Sequence, residues 1–151
     1  IGSHTVVELI NAGHQAIIVD DLSNAKADVI DRIESICGKR PVFYQMDCAS
    51  DELHQVFQNH DIDAVIHFAG FKAVGESVRE PLKYYRNNLD STLCLLEAME
   101  SAKKRRSAEE NAAREKVLEE ERRAEEARRR EEEARRRAEE AGDNPYDTPK
   151  D

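Results

Sequence analysis

Val65-Ile66-His67-Phe68-Ala69-Gly70-Phe71-Lys72-Ala73-Val74-Gly75-Glu76-Ser77 decides how the rest of the chain is read. Its opening residues form a short apolar run of the kind that makes a buried strand, with His67 as a hydrogen-bonded core histidine. The run passes straight into a glycine-bearing loop that carries one cation, Lys72. In α/β proteins such a loop lies at the carboxyl end of a parallel strand, where nucleotides bind.

The residues before this stretch supply its scaffold. Thr5 to Ala12 has apolar residues at helical spacing, and Gly13 stands where a helix terminates. Gln15 to Asp20 is an almost unbroken apolar run, as expected of a strand buried on both faces. A polar turn, Asp20-Asp21-Leu22-Ser23-Asn24, follows, with Asn24 as the expected N-cap of a helix. That helix would bury Val29, Ile30, Ile33, Ile36 and Cys37, and Gly38 would close it. Pro41 to Asp47 reads as a second strand. Ser50 would cap a third helix with Leu53, Val56 and Phe57 inside, and Asp63 to Phe68 would be the third strand. Beyond the opening stretch, Pro81 starts a helix expected to bury Leu82, Tyr85, Leu89, Leu93, Leu96 and Met99.

Helices and strands thus alternate regularly, which implies a parallel sheet with helices on both faces. A chain that opens on a helix lacks the strand that should come before it. The expected fold is α/β: a partial Rossmann-like, doubly wound parallel sheet lacking its first strand, followed by a long charged α-helix.

Composition divides the chain at about Ser101. Of the 151 residues, the first hundred hold nearly all the large apolar side chains, and beyond them only Val117, Leu118 and Tyr146 exceed alanine among the apolar types. The usable core is therefore about 100 residues, near the lower end of comfortable single-domain size. Residues 1–100 carry 8 Lys and Arg against 16 Asp and Glu, and the remainder 15 against 16, which together give the net charge of −9. An acidic globular half offers no electrostatic footprint for nucleic acid or for an anionic membrane. The basic run Lys103 to Arg106 is followed within a turn by acidic residues. No apolar run reaches transmembrane length. Cys37, Cys48 and Cys94 have no metal-ligand spacing, and an odd number of thiols without a leader suggests a reducing, cytoplasmic setting. His54 and His60 lack a partner at metal spacing, so no metal site is expected.

From Ser101 the pattern becomes Glu and Arg blocks separated by alanine. Ala113, Val117, Ala124, Ala127, Ala134, Ala138 and Ala141 fall on a 4-3-4-3 grid, with Glu120 and Glu131 in two of its seats. Glu119, Glu131 and Glu133 each precede an arginine by four residues, the favourable order for helix ion pairs. Strong helix formers dominate, so a helix is expected even without tertiary support. A coiled-coil seam is the rival reading, but alanine buries little area and the glutamates interrupt the grid. The expected domains are 1–100, a partial nucleotide-binding domain; 101–141, the charged helix; and 142–151, an extended or disordered tail.

Asp20, at the end of the first strand, is the most informative single residue. In a dinucleotide-binding unit an acid there accepts hydrogen bonds from the adenosine ribose hydroxyls and disfavours a 2′-phosphate. A turn-capping aspartate is the equal alternative. Ile1-Gly2 opening a helix could be the remnant of a glycine fingerprint that holds a pyrophosphate.

Ile1-Gly2-Ser3-His4-Thr5, the Val19 to Asn24 turn, the Val65 to Ser77 stretch and Pro81 to Asn88 together resemble the UDP-glucose 4-epimerases, within the extended short-chain dehydrogenase/reductase superfamily. The resemblance covers about residues 1–100 and stops at Glu100. It implies a cytoplasmic galactose-pathway isomerase that binds NAD and interconverts UDP-glucose and UDP-galactose by oxidation at C4, rotation of the keto sugar and reduction on its other face. Its cofactor contacts would fall on Ile1 and Gly2 at the pyrophosphate, and on Asp20, Asp21 and Asn24 around the adenosine ribose. Asp47 and Cys48 would lie by the adenine. Phe68, Ala69, Gly70 and Lys72 would line the cofactor, with Asn87 on its nicotinamide side.

The family's proton-transfer serine and Tyr-x-x-x-Lys pair fall beyond the matching region, as does the part that binds the UDP-hexose. Tyr146 to Lys150 repeats the spacing, but Pro149 within it and Pro145 before it forbid the helix that would align the two side chains. No catalytic residue is therefore expected here. The chain reads as an NAD-binding fragment joined to a helix of other origin, by engineered fusion or as an aberrant gene product. The alternative is a structural fusion in which the helix is a rigid arm or self-associating assembly element.

Overall fold

The computed structural model describes residues 1–142. The expected tail lies almost wholly outside them. The chain divides into two compact units, Ile1–Lys104 and Arg105–Asp151.

The first unit begins with α1, Gly2–Asn11. Its end is closed by backbone bonds from Ala12 N to Glu8 O, Gly13 N to Ile10 O and His14 N to Leu9 O. Gly13 has φ +90°, which a side chain would strain. β1, Ile17–Val19, pairs in parallel with β2, Val42–Tyr44, in the register Ile17 to Val42, Ile18 to Phe43 and Val19 to Tyr44. Between them lies α2, Asp28–Cys37, ending in Gly38 at φ +67°. α3 is Leu53–Asn59, α4 is Val74–Arg79, and α5 runs Pro81–Gly142.

The core follows from strand alternation. Ile17, Val19, Tyr44 and Met46 face one side of the two-stranded sheet. There they pack on a buried cluster of Leu53, Val56 and Phe57 from α3 and Ala98 from α5. Ile62, Leu95 and Ala102 complete it. α1 packs against α2, where Ile30 and Ile33 are buried.

Several sequence expectations are corrected. Asp63 to Phe68 forms no strand; Val65, Ile66, His67 and Phe68 are exposed. The reason is topological. In a doubly wound sheet of order 3-2-1-4, the strand at this point in the chain pairs with the first strand, not with the two that follow it. The described residues contain no such neighbour, so the segment has no ladder to join. Asn24 does not cap α2, whose first turn begins four residues later and has Ala27 at its N-cap. Ser50 lies too far upstream to cap α3; its hydroxyl instead accepts a bond from Glu52 N at 3.2 Å. Ile36 is exposed rather than inside.

The register of α5 is also turned. Leu82, Tyr85, Leu89, Leu93, Leu96 and Met99, expected to be buried, are exposed, while Tyr84, Ser91 and Ala98 are buried. Both faces of this helix carry apolar residues, so periodicity identified the helix but not the side that docks.

In the second unit the helix is solvated. Every grid position from Ala113 to Ala138 is exposed. Arg123 pairs with Glu119 at 2.6 Å and Arg137 with Glu133 at 2.7 Å, as expected. Arg135 turns instead to Glu139 at 3.0 Å. Exposed i,i+4 pairs contribute roughly 0.3–0.5 kcal/mol each, so propensity carries most of the helix. A peptide of residues 105–142 is therefore expected to give a helical circular-dichroism spectrum that is independent of concentration and only modestly weakened by molar salt. A random-coil spectrum would contradict this.

Candidate functional site

The predicted site residues gather into three neighbourhoods within the first unit. The first is the start of α1. This helix has no side-chain cap and no acidic residue in its first turn. Its free N–H groups and positive dipole end therefore favour an anion. Ile1 is exposed and, with His4, Thr5 and Glu8, lines an open hollow of about 550 Å³. A Cβ on Gly2 would stand 3.6 Å from Phe68 Cδ2, so helix start and loop lie side by side.

The second neighbourhood is at the carboxyl ends of β1 and β2. Asp20 Oδ1 accepts the Leu22 N–H at 2.8 Å, and Asp21 Oδ1 accepts that of Ser23 at 2.9 Å. Asp47 Oδ1 accepts the Ala49 N–H at 2.8 Å. Each bond uses one carboxylate oxygen and leaves the other available, so the turn-building and ligand-binding readings of Asp20 are compatible. The paired turns hold Leu22 at φ +61°, a left-handed conformation uncommon for a residue other than glycine. Burial, then the charges of Asp47, Asp20 and Asp21, pushes the Cys48 thiol up, keeping it neutral. Asn24 is exposed in the bend beyond.

The third is the loop of the opening stretch against α5. Asn88 accepts the Phe71 N–H at Oδ1, 2.7 Å, and donates from Nδ2 to the Phe71 carbonyl at 3.0 Å. Asn87 donates its Nδ2 to Asn88 Oδ1 at 3.0 Å. Thr92 Oγ1 lies 3.3 Å from His67 Nε2, which makes His67 an exposed, helix-tethered residue rather than a core one. Lys72 is exposed, with no ion pair among the described residues. Ala69 and Gly70 are exposed beside it.

One turn below, Glu76 anchors α4. It accepts Lys83 Nζ at 2.6 Å and Tyr84 Oη at 2.7 Å, while the Phe71 ring lies tilted on Tyr84 with centroids 5.5 Å apart. The Lys83 bond, then the Tyr84 bond, holds the Glu76 carboxyl below the usual range. A carboxylate with a depressed folded pKa stabilises the fold above its unfolded value of about 4.3, and that contribution is lost as pH falls through the lower folded value. Acid titration of the Tyr84 ring resonances is expected to show this anchor releasing below about pH 4. In Glu76→Gln that step should disappear; its persistence would assign it to another group.

Sequence reasoning missed Asn88 and Thr92, and the hydrogen bond that Tyr84 makes. Their signal was a four-residue spacing of hydrogen-bonding side chains on one face of an otherwise apolar helix. Among the described residues no cluster of metal-ligating side chains occurs, and no helix is long and apolar enough to cross a membrane.

Residues 1–114 match the family model described as GDP-mannose 4,6 dehydratase. The chain is 54% identical over 101 residues to the UDP-glucose 4-epimerase of Bacillus subtilis, covering 66% of this chain and 30% of that protein. It is 50% identical over 107 residues to that of Dictyostelium discoideum, covering 70% and 31%. Among solved structures, the UDP-glucose 4-epimerase of Bifidobacterium longum in complex with NAD+ and UDP superposes with a TM-score of 0.66 at 45% identity. It covers 67% of this chain and 30% of that one. The epimerase from Stenotrophomonas maltophila with bound NAD and formylated UDP-arabinopyranose gives 0.65 at 46% identity, with the same coverage. The chain thus spans about 30% of the length of the curated relatives it matches.

Proposed function

The chain belongs to the family described as GDP-mannose 4,6 dehydratase, and we propose that within it residues 1–100 are the NAD-binding portion of a UDP-glucose 4-epimerase. The observation that carries this reading is the turn after β1. There Asp20 spends one oxygen on Leu22 N–H and keeps the other for a ligand hydroxyl. The donor set fits the cofactor. Asp20, Asp21 and Asn24 would take the adenosine ribose, and their negative charge would reject a 2′-phosphate. Asp47 and the neutral Cys48 thiol would border the adenine. Ile1 and Gly2, at the uncapped start of α1, would face the pyrophosphate. Phe68, Ala69 and Gly70 would form an apolar wall, Lys72 would meet a ribose or phosphate oxygen, and Asn87 would lie on the nicotinamide side.

Bound NAD supplies a hydride acceptor and donor. The residues of this chain bind and orient it and, on this reading, perform no proton transfer. Interconversion of UDP-glucose and UDP-galactose, with the UDP-hexose as partner, is proposed for the whole enzyme, as is its place in galactose metabolism in the cytoplasm. The test is thermal unfolding of the purified chain with increasing NAD or NADP. NAD is expected to raise the midpoint in proportion to the logarithm of its concentration, and NADP to act weakly. Equal shifts from both, or none, would refute the reading.

A second reading rests on the exposed helix of the second unit, with its pairs Arg123–Glu119, Arg135–Glu139 and Arg137–Glu133. The segment, for which we propose the bounds 101–141, would act as a rigid arm or self-associating element. Concentration-dependent association that survives deletion of residues 1–90 would favour it.

A further inference from the structure

On α5, Leu82, Tyr85, Leu89, Leu96 and Met99 form an exposed apolar stripe with the half-buried Thr92 in its midst. Their spacing alternates three and four residues. The same count carried forward reaches Lys103, Arg106, Glu110, Ala113 and Val117, and so runs without a break into the alanine grid. Stripe and grid are therefore two halves of one heptad register, with Leu82, Leu89 and Leu96 at a positions and Tyr85, Thr92 and Met99 at d positions. Two copies in parallel would set each position against itself, so Lys103, Arg106, Glu110, Glu120 and Glu131 would all form like-charge layers. Antiparallel pairing sets a against d instead. In the register that places Leu96 opposite Ala127, Tyr85 faces Ala138, Leu89 faces Ala134 and Met99 faces Ala124. Large side chains then meet small ones, the condition for facing helices to interdigitate. The interruptions of the grid are met as well: Glu120 falls opposite Lys103, and Glu131 opposite Thr92, the polar position of the stripe. Sliding by one heptad sets Glu120 against Leu96 in one direction and against Glu110 in the other.

We propose that α5 carries a docking surface for a second copy of this chain, on which the stripe Leu82–Met99 of one copy receives the alanine grid of the other in this antiparallel register. The proposal rests on the self-associating reading of the charged helix and names what the grid docks on. From Val117 onward the grid lies past residue 114, where the match to the family model ends, so the receiving and docking halves come together only in a chain that has both. Neither half makes a seam alone. The stripe is large-sided, while the grid is small-sided and interrupted, so residues 105–142 by themselves remain unassociated. The pairing is symmetric: each copy supplies one stripe and one grid, and every layer occurs twice.

Sedimentation equilibrium of the full chain over a wide concentration range tests this, with variants at the exposed positions. Leu89 and Leu96 are 56% and 55% exposed, so Leu89→Glu combined with Leu96→Glu leaves the single chain folded, which circular dichroism verifies. The wild type is expected to form a reversible dimer. The double variant is expected to raise the dissociation constant by about tenfold or more, because each substitution recurs in two layers of the symmetric pair. Lys103→Glu is expected to weaken the dimer in the same direction, by setting carboxylates together, and Lys103→Glu combined with Glu120→Lys to restore it. That rescue is specific to antiparallel pairing, since parallel copies would oppose like charges in both variants. Unchanged association in Leu89→Glu/Leu96→Glu, or association retained by residues 105–142 alone, would overturn the docking surface and leave the charged helix as a self-associating element. Loss of the dimer in Lys103→Glu without rescue by Glu120→Lys would overturn the register. A wild type that stays monomeric throughout would overturn both the docking surface and the self-associating reading.

Discussion

Phe57→Ala is expected to remove most of the stability of the first unit. Phe57 is 6% exposed and lies in a buried cluster that joins α3 to the sheet and to α5. Truncating a buried phenylalanine costs about 3–5 kcal/mol, through lost transfer energy and the cavity left behind. Ordinary domains have only about 5–15 kcal/mol in total. This unit is worse placed than most, because its two strands are three residues each and one expected strand is unpaired. Far-ultraviolet circular dichroism would hide the effect, since the charged helix persists. The chain has no tryptophan, so the measurement is urea unfolding followed through tyrosine fluorescence or resolved core methyl resonances. A midpoint shift worth less than about 1 kcal/mol would mean that the cluster is not the core.

How much of this was legible in sequence depended on whether local pattern or pairing decided the outcome. α1, α2, α3 and the two strands came from spacing alone, because amphipathic period and glycine stops are local properties. Val65 to Phe68 has the composition of a strand, but a strand exists only with a neighbour, and no local pattern reports whether the neighbour is there. α5 showed the same limit: Leu82, Leu89 and Leu96 had the right period, yet docking chose the face of Tyr84, Ser91 and Ala98. At the candidate site, Asp20 was legible from its position just after a strand, while Asp21, Asp47 and Cys48 rested on the family resemblance. Asn88 was not legible, since its bonds reach across 17 residues to the backbone of Phe71.

Asp20→Ala is expected to have the second largest effect, on ligand binding rather than on folding. Hydrogen bonds to a charged group are worth about 1.5–3 kcal/mol. Loss of the carboxylate should therefore weaken NAD by roughly 10- to 150-fold. The Leu22 N–H would also lose its acceptor, loosening the turn that holds Leu22 at φ +61°. Asp20→Asn separates the two roles. Its amide oxygen can still accept from Leu22 N–H, while the charge that disfavours a 2′-phosphate is gone. That variant should keep its stability, bind NAD more weakly, and discriminate less against NADP. Isothermal titration of the wild type and both variants with each nucleotide reads these effects. Unchanged preference for NAD in Asp20→Asn would place the discrimination elsewhere.

The central claim is that one surface of the first unit, assembled from strand ends, the start of α1 and the loop clamped by α5, holds NAD. Amide hydrogen exchange across the whole chain, with and without saturating NAD, tests this most directly. The predicted result is added protection in Asp20–Asn24, Asp47–Cys48 and Phe68–Lys72, with none in residues 105–142. No NAD-dependent protection in those three segments, or protection confined to the charged helix, would contradict it.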